Sequence, residues 1–308
     1  MSSPGTSIGR ATLLIVLSAV CFGSISVLTV LTTSAGVPLL TAMAWRYVIA
    51  AALLCLAPQV REIRKVPRRK IVQLLVIGGC GQALITYLSL HALQYIHVGP
   101  LAFLFYTYPA WVAILAAIRR TEPLNLARIV ALMLALSGVT IMVGAPTDRL
   151  NPLGVVLALS SALLYSAYLP ALEQVQRGVP SVVSTFGLVV GAAIAFVVAA
   201  SIGDDLFLPT GKEVWTNIFL LAFASTVIAF SFLIAGLAVL GPVRTAIIAT
   251  VEPFFTALLG AVVLGNASQS STFTGGVLIA AAVLTIEWTS GKGELRSRLP
   301  GVGDARSR

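Results

Sequence analysis

Ten long apolar segments, separated by short polar stretches, follow one another along the chain. A helix rises 1.5 Å per residue, so it needs about 20 mainly apolar residues to cross roughly 30 Å of bilayer hydrocarbon. All ten segments are close to this length. The pattern therefore predicts an all-α integral membrane protein with ten transmembrane helices. They cover approximately residues 11–31, 37–57, 71–93, 99–119, 125–144, 153–172, 180–201, 214–238, 242–264 and 272–290.

Short motifs from the first half of the chain return in the second half at a nearly constant distance. The period divides the chain into a first repeat over 11–144, a second repeat over 153–290 and a basic tail over 291–308. Each repeat holds five predicted helices, an odd number, so the second must enter the membrane from the opposite face. The sequence thus predicts two inverted five-helix repeats. The motifs that return 142 to 144 residues later are Val37-Pro38 as Val179-Pro180, Gly99-Pro100 as Gly241-Pro242, and Pro109 as Pro253.

Composition also favours a bilayer environment, because 58% of the 308 residues are hydrophobic and 10% are charged, against about 25% charged in soluble domains. The formal net charge of +9 would suit nucleic acid, but seventeen of the twenty lysines and arginines fall on the N-terminal side of the predicted membrane. The positive-inside rule then places both termini in the cytoplasm. We expect a multi-pass protein of the inner (plasma) membrane with no nucleic-acid partner. Contact of the basic run at 61–70 with anionic lipid headgroups is an additional interpretation.

Two ionisable residues lie deep inside predicted helices. Arg46 is about ten residues into the second segment, and Glu252 is about ten residues into the ninth. A charge near the bilayer centre costs at least about 2.5–3.5 kcal/mol, so it needs a partner or a purpose. Two interpretations stay open with equal weight. The charges face a cavity, where one meets a substrate carboxylate and the other an amine or a coupling proton, or they pair with each other or with backbone carbonyls.

Prolines and aromatic residues indicate where a cavity would lie. Pro109 and Pro253 should kink the fourth and ninth helices, because proline removes a backbone hydrogen bond, and the freed carbonyls could border the cavity. Aromatic side chains one turn apart share a helix face. A cavity for organic substrates is the preferred interpretation, against ordinary packing and interface belts. The further candidate lining residues are Gln82, Tyr87, His91, Tyr106, Tyr108, Trp111, Tyr165 and Tyr168.

The ten segments, the two five-helix repeats and the recurring Gly-Pro and mid-helix proline resemble the EamA family of the drug/metabolite transporter (DMT) superfamily. Glu252-Pro253 resembles the Glu-Pro of that family's ninth helix, and Arg46 resembles its second-helix arginine. One position departs, since Asn266 stands where the family commonly ends the ninth helix with glutamate. The resemblance implies a transporter that exports or exchanges small metabolites, amino acids or drugs.

The predicted function is therefore secondary transport by alternating access, in the export direction that the resemblance implies. No ATP-binding or metal-binding motif occurs in the sequence, so we expect no enzyme activity, no cofactor and no metal. The expected partners are a small-molecule substrate, membrane lipid, and a coupling proton or counter-substrate. One alternative is a nucleotide-sugar or phosphorylated-sugar antiporter, which would want several basic residues in the cavity. A second alternative is a cationic-drug exporter, which would want acidic residues there. A third, from a different class, is a membrane enzyme or scaffold acting on lipid, which would want a catalytic cluster at the interface.

Overall fold

The computed structural model describes residues 4–121, 125–143, 150–264 and 270–298. The described residues are almost entirely helical, and none of them belongs to a strand. The α-helices are α1 Pro4–Phe22, α2 Ile25–Ser34, α3 Leu39–Cys55, α4 Arg68–Val76, α5 Ala83–His91, α6 Val98–Phe105, α7 Tyr108–Ile118, α8 Leu126–Val143, α9 Pro152–Gln176, α10 Ser181–Ile202, α11 Lys212–Ala222, α12 Ala229–Ala249, α13 Glu252–Leu264 and α14 Ser270–Arg298.

Proline starts several of these helices. Pro38, Pro67 and Pro180 stand at the N-caps of α3, α4 and α10, where the missing N–H costs nothing and the fixed φ suits the first turn. Asn151 caps α9, because its side chain accepts a hydrogen bond of 2.9 Å from the Leu153 amide. The recurring Val-Pro motifs are thus helix starts.

Several helices are long and apolar enough to cross a membrane. Six continuous helices in the described part of the chain pass this test, or seven if α3 is joined to the 3₁₀ helix Pro58–Lys65, which bends away from it by 86°. Leu126–Met142, Glu252–Val263 and Ser270–Ile286 are shorter apolar helices. Every predicted apolar segment lies on helix. The expectation of an all-helical membrane protein is therefore met, while the count of ten crossings stays a prediction.

A glycine interrupts the long helical stretch Lys212–Ala249. Gly241 has φ 74° and ψ 171°, a backbone conformation that a residue with a side chain rarely adopts. Pro242 follows it and cannot donate a hydrogen bond to the preceding turn. The Gly-Pro motif of the second repeat is therefore a sharp boundary between two helical segments.

The two halves of the chain pack against each other in a reciprocal pattern. The first helix of the first half, α1, packs on α12 of the second half, and the first helix of the second half, α9, packs on α5 of the first. The second helices, α3 and α10, pack on each other, and so do α8 and α14. This arrangement is unchanged when the halves are exchanged, as expected of a duplicated fold.

Both halves carry a wide turn within their third membrane helix, between α4 and α5 in the first half and between α11 and α12 in the second. The wide turns are the π-helical segments Ile77–Gln82 and Phe223–Ile228, which lie 146 residues apart. In the second wide turn, the Thr226 hydroxyl donates a hydrogen bond of 2.8 Å to the Leu221 carbonyl. A side chain thus supplies a hydrogen bond where the regular backbone pattern of the α-helix is interrupted. π-Bulges are rare and occur frequently at functional sites.

The first wide turn makes a close contact between helix backbones. A Cβ atom on Gly78 would collide with the main chain of Leu188 in α10, and a Cβ atom on Gly191 would collide with the main chain of Leu75. Small residues allow such approach where no water-driven force holds helices together. Any larger side chain at Gly78 or Gly191 would separate the two helices.

Two parts of the predicted outline extend beyond the described residues. Helix α14 continues to Arg298, so the first part of the predicted basic tail is helical, and 299–308 lie outside the described residues. Glu122 and Asn266, the polar residues that end the fourth and ninth segments, also lie outside the described residues.

Candidate functional site

A cavity of about 400 Å³ lies between the two halves of the molecule. Its walls come mainly from α2, α5, α6 and α13, with single contributions from other helices. The volume is in the range of sites for small organic ligands. Six of the candidate residues predicted from the sequence line it: Arg46, Gln82, Tyr106, Tyr108, Tyr165 and Glu252.

Arg46 is held by the second wide turn. The side chain is 1% exposed, its Nε donates a 2.7 Å hydrogen bond to Thr226 Oγ1, and its Nη2 donates a 3.0 Å bond to the Ser225 carbonyl. The guanidinium carbon also lies 5.0 Å from the centroid of the Tyr47 ring, within the range of a cation–π contact. These contacts fix the guanidinium in the wall of the cavity.

Arg46 has no carboxylate partner among the described residues, where an ion pair of 2.8 Å joins Arg177 to Glu173. Of the two interpretations left open by the sequence, part of the structural one is present, because Arg46 bonds to a backbone carbonyl. The pairing of Arg46 with Glu252 does not occur. The guanidinium thus brings a positive charge to the cavity that no described acidic side chain neutralises.

Glu252 begins helix α13, in the wall of the same cavity. Its carboxyl group lies beside the Tyr106 side chain, and no basic side chain pairs with it among the described residues. The first turn of a helix favours a negative charge, because unpaired amide groups and the helix dipole face it. The residue itself is half-buried, so part of it is open to the cavity.

Three tyrosine rings lie beside Glu252. The rings of Tyr108 and Tyr165 meet edge to face with centroids 4.7 Å apart, and the Tyr106 and Tyr108 centroids are 6.1 Å apart. The Tyr108 hydroxyl donates a long 3.4 Å hydrogen bond to the Ala246 carbonyl. Aromatic faces attract cations as well as apolar groups. This wall can accommodate both an ammonium group and an apolar substituent.

Gln82 ends the first wide turn and lines the cavity, and its side-chain carbonyl oxygen is buried. Its Nε2 donates a 2.9 Å hydrogen bond to Thr86 Oγ1, and the Tyr47 hydroxyl lies 3.4 Å from the same Thr86 oxygen. Gln82 Oε1 has no hydrogen-bond partner among the described residues. Because a buried acceptor without a partner is unfavourable, this oxygen suits a donor group of a solute.

The two prolines that recur between the repeats, Pro109 and Pro253, stand just after breaks in their helices. Pro109 is the second residue of α7, after the break between α6 and α7, and Pro253 is the second residue of α13, after the break that follows α12. Amides near the breaks bond three residues back, as Thr107 does to Leu104 at 3.3 Å. The expected kinks therefore take the form of interrupted helices. They place Glu252, Tyr106 and Tyr108 at the ends of half-helices.

Four candidates from the sequence lie away from the cavity. Tyr87 stacks on His91 with centroids 5.0 Å apart, and His91 contacts Tyr95 edge to face. Trp111 is 42% exposed on α7, and Tyr168 is buried in the core. Helical spacing tells which side chains share a face, but not where the face points. For these four residues, a role in substrate binding stays a prediction without support from their position.

The site also contains residues that the sequence did not single out. Thr226 and Ser225 hold Arg46, and Thr86 joins Gln82 to Tyr47. Serine and threonine are frequent throughout the apolar segments, so nothing in their pattern distinguishes these three. Thr226 and Ser225 are distinguished by their contact with the buried Arg46. That contact depends on the packing of α3 against the second wide turn, which the sequence does not reveal.

The molecule described so far is a polytopic helical protein built from two similar halves around a central cavity. The model of the EamA-like transporter family matches it twice, over residues 9–144 and over residues 152–288. The chain therefore belongs to the EamA-like transporter family, within the drug/metabolite transporter superfamily, as the sequence predicted. The family comprises transporters, and the chain is accordingly a multi-pass membrane protein of a small-solute transporter family.

Comparison with solved structures agrees on the fold. Twenty-nine chains are similar. One of them, described only as the crystal structure of a protein, has a TM-score of 0.77 and 20% identity, over 93% of this chain and 99% of its own. At that identity the likeness concerns the fold alone. No curated protein matches the sequence.

Proposed function

We propose that this chain is a secondary transporter that moves small organic solutes, with amino acids as the favoured class, across the inner (plasma) membrane by alternating access. The observation that carries the proposal is the central cavity, which holds Arg46 and Glu252 as two separate charges beside a tyrosine wall. Export is the favoured direction, on family resemblance. A proton or a counter-substrate is the proposed source of coupling.

The proposed topology has ten crossings in two inverted five-helix repeats, with both termini in the cytoplasm. A straight helix of 38 residues, the length of Lys212–Ala249, would measure about 57 Å, nearly twice the hydrocarbon thickness. Gly241 divides it into the eighth crossing and the start of the ninth, which α13 completes. With α3, α8 and α14 as further crossings the count is ten. The distribution of basic residues then gives the orientation.

The charges in the cavity favour a zwitterionic solute. An isolated charge in a low-dielectric interior is costly unless it is paired, and neither Arg46 nor Glu252 has an ion-pair partner among the described residues. An amino acid would bring a carboxylate for Arg46 and an ammonium group for Glu252. Its side chain would pack on Tyr108 and Tyr165, while Gln82 Oε1 would accept a further hydrogen bond.

The alternatives fit this cavity less well. A nucleotide-sugar or phosphorylated-sugar antiporter would need several cationic side chains to neutralise phosphate, and Arg46 is the one basic residue in the described lining. Two of its nitrogens already donate to Thr226 and Ser225. A role as a lipid-modifying enzyme or scaffold has no observation in its favour among the described residues.

Counterflow in proteoliposomes tests the proposal. Purified protein is reconstituted, the vesicles are loaded with one unlabelled solute, and uptake of the same labelled solute is followed for a panel of amino acids, organic cations and sugar phosphates. We expect exchange of zwitterionic amino acids that empty liposomes do not show. Exchange confined to sugar phosphates, or no exchange of any solute, would contradict the proposal.

A further inference from the structure

The described lining of the cavity reaches from the middle of the protein toward one of its two faces. In the proposed topology its lining residues lie at the middle of their helices or on the outer side of it, such as Leu101 near the start of α6. A second cavity shares Val30 and Leu90 with the first and continues along α2 to Thr33 and Gly36, at the outer end of that helix. The structure thus shows the outward-open arrangement.

The cytoplasmic side of the same core is closed. Leu172 of α9, Leu188 of α10 and Val243 of α12 belong to one cluster of buried side chains, each at most 1% exposed. In the proposed topology these three side chains lie between the cavity and the cytoplasmic face. A solute in the cavity therefore has no open path to the cytoplasm in this arrangement of the described residues.

Buried polar side chains without hydrogen-bond partners divide between the two sides of the core. Among the described residues, six side chains have such atoms. Thr29 and Gln82 line the open cavities. The other four lie from the middle of the membrane to its cytoplasmic face, in the packed region: Tyr168, Gln176, Ser184 and Thr245.

Three of these four residues lie at a common depth. Gln176 is the last residue of α9, Ser184 is the fourth residue of α10, and Thr245 is the fourth residue after Gly241. All three are at least nine-tenths buried. A polar group removed from water without a replacement partner is unfavourable. Three such groups at one level, on α12 and on the two helices α9 and α10 that pack against it, indicate a surface that is wet in another arrangement of the helices.

The duplication of the chain relates this surface to the open side. At an offset of 143 residues, Tyr168 corresponds to Ile25 and Gln176 to Thr33, which line the outer cavities. Inverted repeats open the second side by exchanging their conformations, so the counterparts of the outer lining become the inner lining.

We propose that Tyr168, Gln176, Ser184 and Thr245 line the cytoplasmic part of the solute route, dry in the outward-open state and hydrated in the inward-open state. This inference rests on the proposed transport function and adds the residues of the second opening. The hydrogen bonds that these side chains lack in the closed arrangement are supplied there by water and by the polar groups of the passing solute.

Thiol labelling tests the proposal. In a background with Cys21, Cys55 and Cys80 replaced by alanine, Ser184→Cys and Thr245→Cys are each exposed to a membrane-impermeant maleimide in inside-out vesicles. We expect both cysteines to react at least tenfold faster than a cysteine that stays packed in every state. Equal rates at all positions would overturn the proposal.

The matched control is Ala50→Cys. Ala50 is fully buried, lies five residues before the cytoplasmic end of α3 and belongs to a different buried cluster, between α3 and α10. Leu101→Cys reports the outer opening and should react in right-side-out vesicles. The labelling is read without any knowledge of the solute. Fast inner labelling without exchange of any solute would therefore contradict the transport proposal alone.

A second variant does not depend on thiol chemistry. Thr245→Val keeps the shape of the side chain and removes the unpaired hydroxyl, so we expect a higher unfolding temperature together with at least a fivefold slower exchange of the best solute. A residue with a purely structural role would change stability without slowing exchange. Unchanged exchange with unchanged or raised stability would overturn the proposal.

Discussion

Removing the charge of Glu252 is the most direct test of the cavity. Glu252→Gln keeps the size of the side chain and leaves a polar end group beside Tyr106. The helix start at α13 and the following Pro253 are untouched. The variant therefore changes the electrostatics of the cavity while leaving its shape in place.

The expected magnitude follows from the position of the carboxylate. An ammonium group 4 Å from a carboxylate gains about 4 kcal/mol at an effective dielectric constant of about 20, the value suited to partly buried sites. The amide of glutamine returns part of this as a neutral hydrogen bond, worth about 1 kcal/mol. We expect the affinity for a zwitterionic solute to fall by about 2–4 kcal/mol, or roughly 30-fold to 1000-fold.

Two measurements check the prediction. Solute binding is titrated by the ligand-induced rise in unfolding temperature of the purified protein, and exchange is followed in proteoliposomes. Glu213→Gln is the matched control, because Glu213 is an exposed acid in the first turn of α11, away from the cavity lining. If the Glu252 variant bound and exchanged zwitterions within threefold of the parent, Glu252 would have no place in the mechanism.

Three further predictions concern the contacts around the cavity. Arg46→Lys keeps the charge but loses one of two hydrogen bonds to the second wide turn, so unfolding in detergent should become easier by about 1.5–3 kcal/mol; an unchanged transition would refute that contact. Because Arg46 and Glu252 do not pair, the stability changes of Arg46→Lys and Glu252→Gln should add within about 0.5 kcal/mol, and a larger coupling in a double-mutant cycle would speak against separate charges. Gly138→Val should lower the free energy of unfolding by about 1–3 kcal/mol, since a Cβ there would lie 2.7 Å from the Gly275 carbonyl oxygen. The control Gly9→Val has open space around the new side chain and should leave the unfolding temperature unchanged.

The broad outline of the molecule was accessible from the sequence because membrane insertion leaves a strong signal. Apolar runs long enough for the bilayer, and basic residues confined to one side, follow directly from the cost of burying charge. The recurrence of Gly99-Pro100 as Gly241-Pro242 revealed the duplication. At the second site the physical reason is now visible, since the positive φ of Gly241 marks the end of a helix.

The candidate site was predicted only in part, for a reason that differs between residue types. Arg46 and Glu252 stand out because a charge inside an apolar run needs an explanation, and both line the cavity. Tyr87 and His91 share a face by their spacing, but the face turns toward Tyr95 instead of the cavity. Orientation of an apolar helix depends on its neighbours, and a nearly uniform hydrophobic sequence does not encode it locally.

Because of the wide turns, a change of a single residue in the length of either third membrane helix has a large effect on the structure. Successive residues of an α-helix are rotated by about 100°, so deleting one residue at Ile77–Gln82 would regularise the turn but swing one end of the helix by that angle against the other. In the first half, Gly78 would then leave its approach to α10. In the second, Thr226 and Ser225 would turn away from Arg46. Lengthening or shortening either segment should thus uncouple the two ends of its helix, and insertion tolerance along these helices should be lowest there.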